Sequence, residues 1–351
     1  MKKEQFQGYI LEYGIAKLIS GNGFTLIQDD TLPDIEIRGN NLNLIGRGAP
    51  HQFDVLGQFK WHSPFIYPIR LFVEAKFRKK KVGIELVRAG VGILADVNQN
   101  YSTVNLNLSD IDINLPRYDY HYSIFSTSGF SLPAITMALA HKINLVDLRD
   151  ASYKPLLDAI GQFTDIVFYL HQNNRNQITA ELATRYKNLV YNTFLNINTT
   201  FEDNEEDDEL ISYTLQNISN SISGIGTIYL ATTSTPFIIA LCPNNNRRFK
   251  ESMRRNPNQR IGITWQELES EWLITSDNEE FTLSFRLPES IKEYIFSEDR
   301  LTLQENAIRS KFNMFDKFSF YIDYDDNIQL CSLAFSSETT QRILERDNRI
   351  N

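Results

Sequence analysis

The segment 70–76 constrains the fold more than any other part of the chain. Its centre, Leu71-Phe72-Val73, is a continuous apolar run, which predicts a buried central strand. A strand of this kind needs other elements to cover it. The chain has 351 residues, of which 42% are apolar, and this is enough to build such layers around more than one core.

The first half of the chain alternates between helical and strand patterns. The spacing of apolar residues predicts helices over 4–20, 82–97 and 133–141. Strands are predicted over 24–28, 35–38, 42–45, 51–57, 70–76, 122–126 and 143–148. We expect the first helix to end at Gly21-Asn22-Gly23. This order of elements predicts an α/β fold, in which helices cover both faces of a mixed sheet.

The second half follows a different pattern, and we predict a domain over 1–154 followed by an α+β domain over 155–351. Its predicted helices are 162–172, 180–194 and 265–273, and its strand patterns are 226–241, 281–287 and 318–333. The segment 202–209 is rich in acidic residues that repel one another, so we expect a mobile loop there. We expect the second domain to recognise, regulate or oligomerise, through a homodimer contact or a protein partner.

The net charge of −9 argues against a nucleic-acid partner, but the charge is unevenly distributed. Residues 1–154 contain 17 Lys and Arg against 15 Asp and Glu, whereas 155–351 contain 18 against 29. Within the first half, the stretch 60–88 holds eight basic residues, Arg70 among them, and two acidic residues. We therefore expect the first domain to carry the surface for a polyanion. A second basic cluster, 247–260, is either an exposed loop or a contact for nucleic acid or nucleoprotein.

Cysteine usage and hydropathy indicate the cellular compartment. Cys242 and Cys331 are the two cysteines of the chain and form no CxxC pair, which argues against a thiolate zinc site or a disulfide framework. The amino terminus is polar, and no continuous apolar stretch approaches the roughly 18 residues that span a bilayer. These features predict a cytoplasmic protein with no membrane partner.

Three residues form the candidate site: Asp54, Glu74 and Lys76. Alternate residues of a strand point to the same face, so we expect Glu74 and Lys76 to lie side by side, with Ala75 turned to the core. The spacing of 20 residues between Asp54 and Glu74 suits two adjacent antiparallel strands that bring both carboxylates together. A simple surface ion pair is the alternative interpretation of Glu74 and Lys76.

This set of groups suits metal-assisted hydrolysis of a phosphodiester bond. Asp54, Glu74 and the main-chain carbonyl of Ala75 supply oxygen ligands of the kind that Mg²⁺ prefers, with Mn²⁺ as a possible substitute. Metal bound there lowers the pKa of a water molecule and offsets charge on the phosphate. Lys76 is expected to hold the nucleophilic water or the phosphate.

At these residues the chain resembles the PD-(D/E)XK nuclease superfamily, and more narrowly the Mrr-like restriction endonucleases and the archaeal-type Holliday junction resolvases. The matching segments are 46–57, 72–76, 78–81, 84–95, 123–131, 134–140 and 143–147. The resemblance extends over residues 4–150 and implies a restriction-endonuclease-like α/β/α sandwich. It also implies that Glu12, on the first helix, joins the catalytic residues. Two departures are that Pro50 stands four residues before Asp54, and that the glutamine expected after E-x-K is not evident, which leaves Gln99 without an assigned role.

The resemblance further implies a Mg²⁺-dependent endonuclease that hydrolyses phosphodiester bonds, of DNA more than of RNA, in antiviral defence against foreign nucleic acid. The residues expected to contact the nucleic acid are Arg47, His51, Arg78, Lys79, Lys80 and Lys81. Two alternatives remain open. One is a Holliday-junction-type resolvase that acts as a dimer, although the long acidic second half is a feature that small resolvases lack. The other is a nuclease-fold interaction protein that binds a partner without cutting.

Overall fold

The structure is a computed structural model that describes residues 1–39, 41–61, 66–99, 118–195, 205–225, 227–266, 271–287, 315–324 and 327–350. Its helices are α1 (Lys3–Gly21), α2 (Ile84–Asn98), α3 (Leu132–His141), α4 (Lys154–His171), α5 (Ala180–Leu195), α6 (Glu205–Ile225), α7 (Asn246–Arg255) and α8 (Ser337–Ile350). Its strands are β1 (Phe24–Leu26), β2 (Ile35–Arg38), β3 (Asn41–Ile45), β4 (Pro50–Gln52), β5 (Val55–Phe59), β6 (Ile69–Lys76), β7 (Asp119–Ser126), β8 (Asn144–Asp147), β9 (Tyr229–Thr232), β10 (Ile238–Pro243), β11 (Asn258–Gln266), β12 (Glu271–Ser276), β13 (Thr282–Phe285), β14 (Lys317–Asp323) and β15 (Ile328–Phe335).

A five-stranded mixed sheet forms the centre of the first half, in the order β1-β5-β6-β7-β8. The first three of these strands pair antiparallel, whereas β6, β7 and β8 pair parallel. The run 51–57, predicted as one strand, is two: β4 joins a separate sheet with β2 and β3, and β5 joins the central sheet. Asp54 therefore lies in the bend between the two sheets.

The apolar residues of β6 alternate between two cores, as the strand period requires. Leu71 and Val73 belong to the core that contains α1 and α4, whereas Phe72 belongs to the core that contains α2 and α3. On that second side Phe72 stacks on Tyr122 of β7, with 5.0 Å between ring centroids. Helices cover both faces of the sheet, so the predicted α/β class and the mixed sheet are confirmed.

Helix α1 is packed on both sides. Phe6, Ile10 and Leu11 are completely buried, because the sheet covers one side of the helix while α4, α5 and α6 cover the other. On the outer side, the rings of Phe6 and Phe163 of α4 stack at 6.4 Å. The boundary predicted after residue 154 falls at the start of α4, and the three helices α4, α5 and α6 pack against α1 of the first half.

The end of α1 joins the first half to a closed barrel of seven strands, in the order β10-β13-β12-β11-β15-β14-β9. As predicted, α1 stops at Gly21, and Gly23 takes a φ of 90°, a conformation that favours glycine. Between them, the side-chain oxygen of Asn22 accepts the N–H of Leu230 in β9 at 2.8 Å, and its amide donates to the carbonyl of Ile228 at 3.2 Å. The cap of one helix is thus also a link to the barrel.

The helix predicted over 265–273 is wrong at both of its ends, which belong to two strands of the barrel, and residues 267–270 lie outside the described part of the chain. Strand β11 runs through Gln266 and β12 begins at Glu271, and Trp265 pairs across the hairpin with Trp272, with ring centroids 5.0 Å apart. A cross-strand aromatic pair stabilises a hairpin. A search for helical spacing does not detect this pair, because the pair forms between two strands.

Part of the acidic segment 202–209, predicted as a mobile loop, is helical. Residues 202–204 lie outside the described part of the chain, and α6 begins at Glu205. The physical reason is the sequence that follows, because Ile211, Leu215 and Ile218 recur at helical spacing, are buried and pack the helix against α4.

The second basic cluster, 247–260, is not a loop over its first part, because α7 occupies residues 246–255. The side chain of Asn245 caps this helix by accepting the N–H of Arg248 at 3.0 Å. Phe249 and Met253, one turn apart, are completely buried and anchor α7 on the barrel. Whether the basic side of this helix contacts a nucleic acid stays a prediction.

Within the described ranges, no helix combines the length and the apolar character that crossing a membrane requires.

Arg70 corrects the prediction that the whole stretch 60–88 offers its positive charge to a polyanion. Its side chain is 0% exposed, and its guanidinium lies 2.5 Å from a carboxylate oxygen of Asp34 and 3.1 Å from the hydroxyl of Tyr120. The guanidinium carbon also lies 3.4 Å from the centroid of the Tyr118 ring. Arg70 is therefore part of the core and cannot reach a phosphate.

We predict that Arg70→Met destabilises the fold by about 3–5 kcal/mol, because it leaves the largely buried carboxylate of Asp34 without its cation. Urea unfolding followed by circular dichroism measures the change. The control is Arg88→Met, which removes an exposed cation of the same stretch and is expected to change stability by less than about 0.5 kcal/mol. Equal small losses in both variants would contradict the structural role of Arg70.

Candidate functional site

The main chain fixes Asp54 beside the end of β6. The N–H of Asp54 donates to the carbonyl of Val73 at 3.2 Å, and the N–H of Ala75 donates to a carboxylate oxygen of Asp54 at 2.7 Å. These two bonds continue the antiparallel pairing of β5 with β6, whose last register pair is Val55 with Val73. The predicted approach of Asp54 to Glu74 through adjacent antiparallel strands is confirmed.

Lys76 links the two carboxylates of this site. Its ammonium forms an ion pair with Glu74 on the same face of β6 and lies 3.8 Å from a carboxylate oxygen of Asp54. The second oxygen of Glu74 accepts the hydroxyl of Tyr122 at 3.4 Å. Glu74 and Lys76 are thus more than a surface pair, because a third charged group and a buried hydroxyl share their environment.

Glu12 of α1 is the third acid of the site. Burial, followed by the charge of Asp54, raises the pKa of Glu12 to about 8, while Lys187 and Lys76 oppose the shift. Burial and the charge of Glu74 raise the pKa of Asp54 to about 6, against the effect of Lys76. With no further cation, Glu12 is therefore mostly protonated at pH 7.

The oxygen atoms of this site fit a small divalent cation. The N–H of Ala75 faces Asp54, and since both main-chain groups of a strand residue point the same way, its carbonyl lies on that side too, beyond the last pair of β5. Among the described residues, no three His, Cys, Asp or Glu side chains form a ready ligand group. Mg²⁺ does not require one, because proteins bind it through one or two carboxylates with waters in the other positions.

A cleft of about 440 Å³ opens beside Asp54 and Glu12. Helix α1, the sheet of β2, β3 and β4, and the start of β5 form one part of its wall. Helix α5 forms the rest and contributes Lys187, Asn188 and Tyr191. None of these three residues is predicted from the sequence to belong to the site, because the predicted site lies within the first 154 residues.

The pattern of α5 contains a signal that could have located Lys187. Ala183, Tyr186 and Val190 recur at helical spacing and are buried against the helices of the first half. Lys187 follows Ala183 by one turn, so it lies on the packed side of α5. A lysine in the apolar stripe of a helix indicates a cation that is held inside the fold.

The residues predicted to contact nucleic acid fall into two groups. Arg78, Lys79, Lys80 and Lys81 are exposed in the segment that leaves β6 directly after Lys76. These four basic residues follow Glu74 and Lys76 closely in sequence, and their contact with nucleic acid stays a prediction.

Arg47 and His51 lie instead against the end of α2. The imidazole of His51 is 2.8 Å from a carboxylate oxygen of Asp96, and the N–H of Arg47 donates to the carbonyl of Asp96 at 3.2 Å. The Arg47 guanidinium also donates to the side chain of Gln99 at 3.5 Å. Both residues fasten the loop before β4 to α2, and their contact with nucleic acid stays a prediction.

Comparisons with known proteins add little to this geometry. No family model and no curated protein matches the chain. Among solved structures, the crystal structure of AF1548, a protein of unknown function, matches with a TM-score of 0.27 and 13% identity. The match covers 54% of this chain and 98% of that one. The interpretation of the site therefore depends on its own residues.

We predict that Glu12→Gln stabilises the metal-free protein at pH 8 and that the gain shrinks as the pH falls to 5. The folded state holds a proton on Glu12 up to about pH 8, whereas the unfolded chain releases it near the ordinary pKa of 4.5. The wild-type protein therefore loses stability as the pH rises between these values, by up to about 1.4 kcal/mol per pH unit.

Urea unfolding in EDTA at each pH measures this difference. Glu4→Gln is the matched control, because it changes an exposed acid on the same helix. A difference between Glu12→Gln and the wild type that stays constant from pH 5 to pH 8 would show that Glu12 does not hold a proton in the folded state.

Proposed function

We propose that the protein is a Mg²⁺-dependent endonuclease that hydrolyses phosphodiester bonds of nucleic acid, DNA in preference to RNA. One observation carries this proposal: Asp54, Glu74 and Lys76 converge where β5 and β6 meet. Glu12 lies close enough for the charge of Asp54 to raise the pKa of the Glu12 carboxyl. Acids that are buried together repel one another, and such an arrangement is typical of a site that takes up a cation.

Each side chain has a role in this proposal. Asp54, Glu74 and the carbonyl of Ala75 would hold Mg²⁺, or Mn²⁺ as a substitute. The ion would supply charge stabilisation and a more acidic water molecule. Lys76 would leave Glu74 when the ion binds, and its ammonium would then hold the attacking water or a phosphate oxygen. Glu12, once ionised beside the cation, would orient a water at the edge of the site.

The overall arrangement supports the same proposal. A mixed five-stranded sheet with helices on both faces is compatible with the restriction-endonuclease-like sandwich that the resemblance to PD-(D/E)XK nucleases implies. The role in defence against foreign nucleic acid and the cytoplasmic location rest on the sequence alone.

We predict that Asp54→Ala and Glu74→Ala each reduce cleavage at least about a thousandfold, because loss of a metal ligand removes several kcal/mol of transition-state stabilisation, at 1.4 kcal/mol per tenfold in rate. The assay uses supercoiled plasmid, linear duplex, single-stranded DNA and RNA, with Mg²⁺, Mn²⁺ or EDTA. Asp30→Ala, which removes an exposed acid, is the control. Full activity in either acid variant, or activity in EDTA, would overturn the site.

Lys76→Ala should reduce turnover yet keep Mn²⁺ binding in a calorimetric titration.

We also predict that replacing Lys79, Lys80 and Lys81 by Ser weakens binding without changing the chemistry. Each lost phosphate contact should flatten the plot of log K against log salt concentration by roughly 0.9 on duplex DNA. Lys142→Ser, which removes an exposed cation after α3, is the control and should leave the slope unchanged. The same slope in the triple variant and the wild type would mean that this segment faces away from the substrate.

A further inference from the structure

The cleft at the proposed site contains a cation that comes from the second half of the chain. The ammonium of Lys187 lies 3.6 Å from the centroid of the Tyr9 ring, one turn before Glu12 on α1. It lines the same cleft as Glu12 and Asp54. A cation over a tyrosine face is held in position while its outer side stays open to a ligand.

The position of Lys187 disfavours a purely structural role. Burial lowers the pKa of its ammonium, and the charge of Glu12 only partly opposes this. In the described part of the chain, no carboxylate lies within 4.0 Å of Lys187 to form an ion pair. A partly buried ammonium that faces a cleft, and lacks a direct acidic partner there, is suited to an anion that enters the cleft.

The acids of the cleft do not exclude such an anion once they hold a divalent cation. Lys76 lies between Asp54 and Glu74, so its charge is directed at the acids themselves. Lys187 instead lines the cleft from α5, beside Asn188 and Tyr191. The cleft volume of about 440 Å³ matches a nucleotide-sized group and not a whole duplex.

We propose that Lys187 binds a backbone phosphate next to the phosphodiester that is cleaved, so that α5 completes the substrate site. This inference rests on the proposed function and gives the second half of the chain a direct role in it. The substrate class is a polynucleotide, because the contact involves a phosphate beyond the one that reacts.

The test compares Lys187→Ala and Lys187→Arg with the wild type, all as full-length chains whose folding is checked by thermal unfolding. Arg185→Ala is the matched control, because Arg185 is an exposed cation on the same helix that does not line the cleft. Binding of a fluorescent duplex and of a single-stranded oligonucleotide is measured over a series of salt concentrations with Ca²⁺ in place of Mg²⁺, so that the acids of the cleft hold a divalent cation during the measurement. Cleavage with Mg²⁺ then gives kcat and KM.

We expect Lys187→Ala to flatten the salt slope by about 0.9 on duplex DNA or about 0.7 on single strands. KM should rise at least threefold with kcat nearly unchanged, since the contact is made equally before and during the reaction. Lys187→Arg should restore both values, and Arg185→Ala should match the wild type.

The outcomes separate this inference from the proposed function. If the wild type cleaves and Lys187→Ala keeps its salt slope, the inference is overturned and the nuclease proposal stands. A fall in kcat with an unchanged slope also overturns it, because Lys187 would then act through Glu12. If the wild type binds but never cleaves, and the slope still flattens, the phosphate contact stands and the nuclease proposal falls. A wild type that neither binds nor cleaves overturns both.

Discussion

The mutual repulsion of three carboxyl groups at one edge of the central sheet is the interaction on which the arrangement of this protein depends. Glu12, Asp54 and Glu74 share a partly buried environment, where like charges cannot all be ionised without a nearby cation. The fold places two lysines there, from elements far apart in the chain. Lys76 comes from the same strand as Glu74, and Lys187 comes from α5.

Helix α1, held in place by its buried apolar residues, brings this constraint about. The helix carries both Glu12 and Tyr9, so it must lie close to the sheet on one side and to α5 on the other. Tyr13 shows how the second contact is made, because its ring meets that of Tyr191 edge-on at 5.3 Å. A shift of α5 would therefore move Lys187 relative to the acids. The helices after residue 154 are therefore physically coupled to the site, and the barrel beyond them shares a hydrophobic core with the α2 and α3 face of the central sheet.

Local patterns predicted the fold well where the decisive contacts are near in sequence. The approach of Asp54 to Glu74 follows from strand alternation and the short connection between β5 and β6, both of which can be read from the residues. Arg70 was misjudged because counting cations cannot reveal its partner Asp34 on another element. Lys187 was missed for the same reason, since its relation to Glu12 depends on how α5 packs against α1. Trp265 was assigned to a helix because its partner lies across a hairpin.

The net charge of the chain gives little guidance about such a site, because the sign of the electrostatic potential in the cleft depends on whether a cation is bound there. The chain carries a net charge of −9, and without a bound cation the ionised acids of the cleft repel a phosphate. Under the proposed function, a divalent cation held by Asp54 and Glu74 would reverse the sign of the electrostatic potential in the cleft, and Lys76 and Lys187 would then attract the backbone. Metal and nucleic acid would each strengthen the binding of the other by the same factor, as linkage requires. An acidic protein can in this way restrict its affinity for nucleic acid to the one cleft in which the metal is bound.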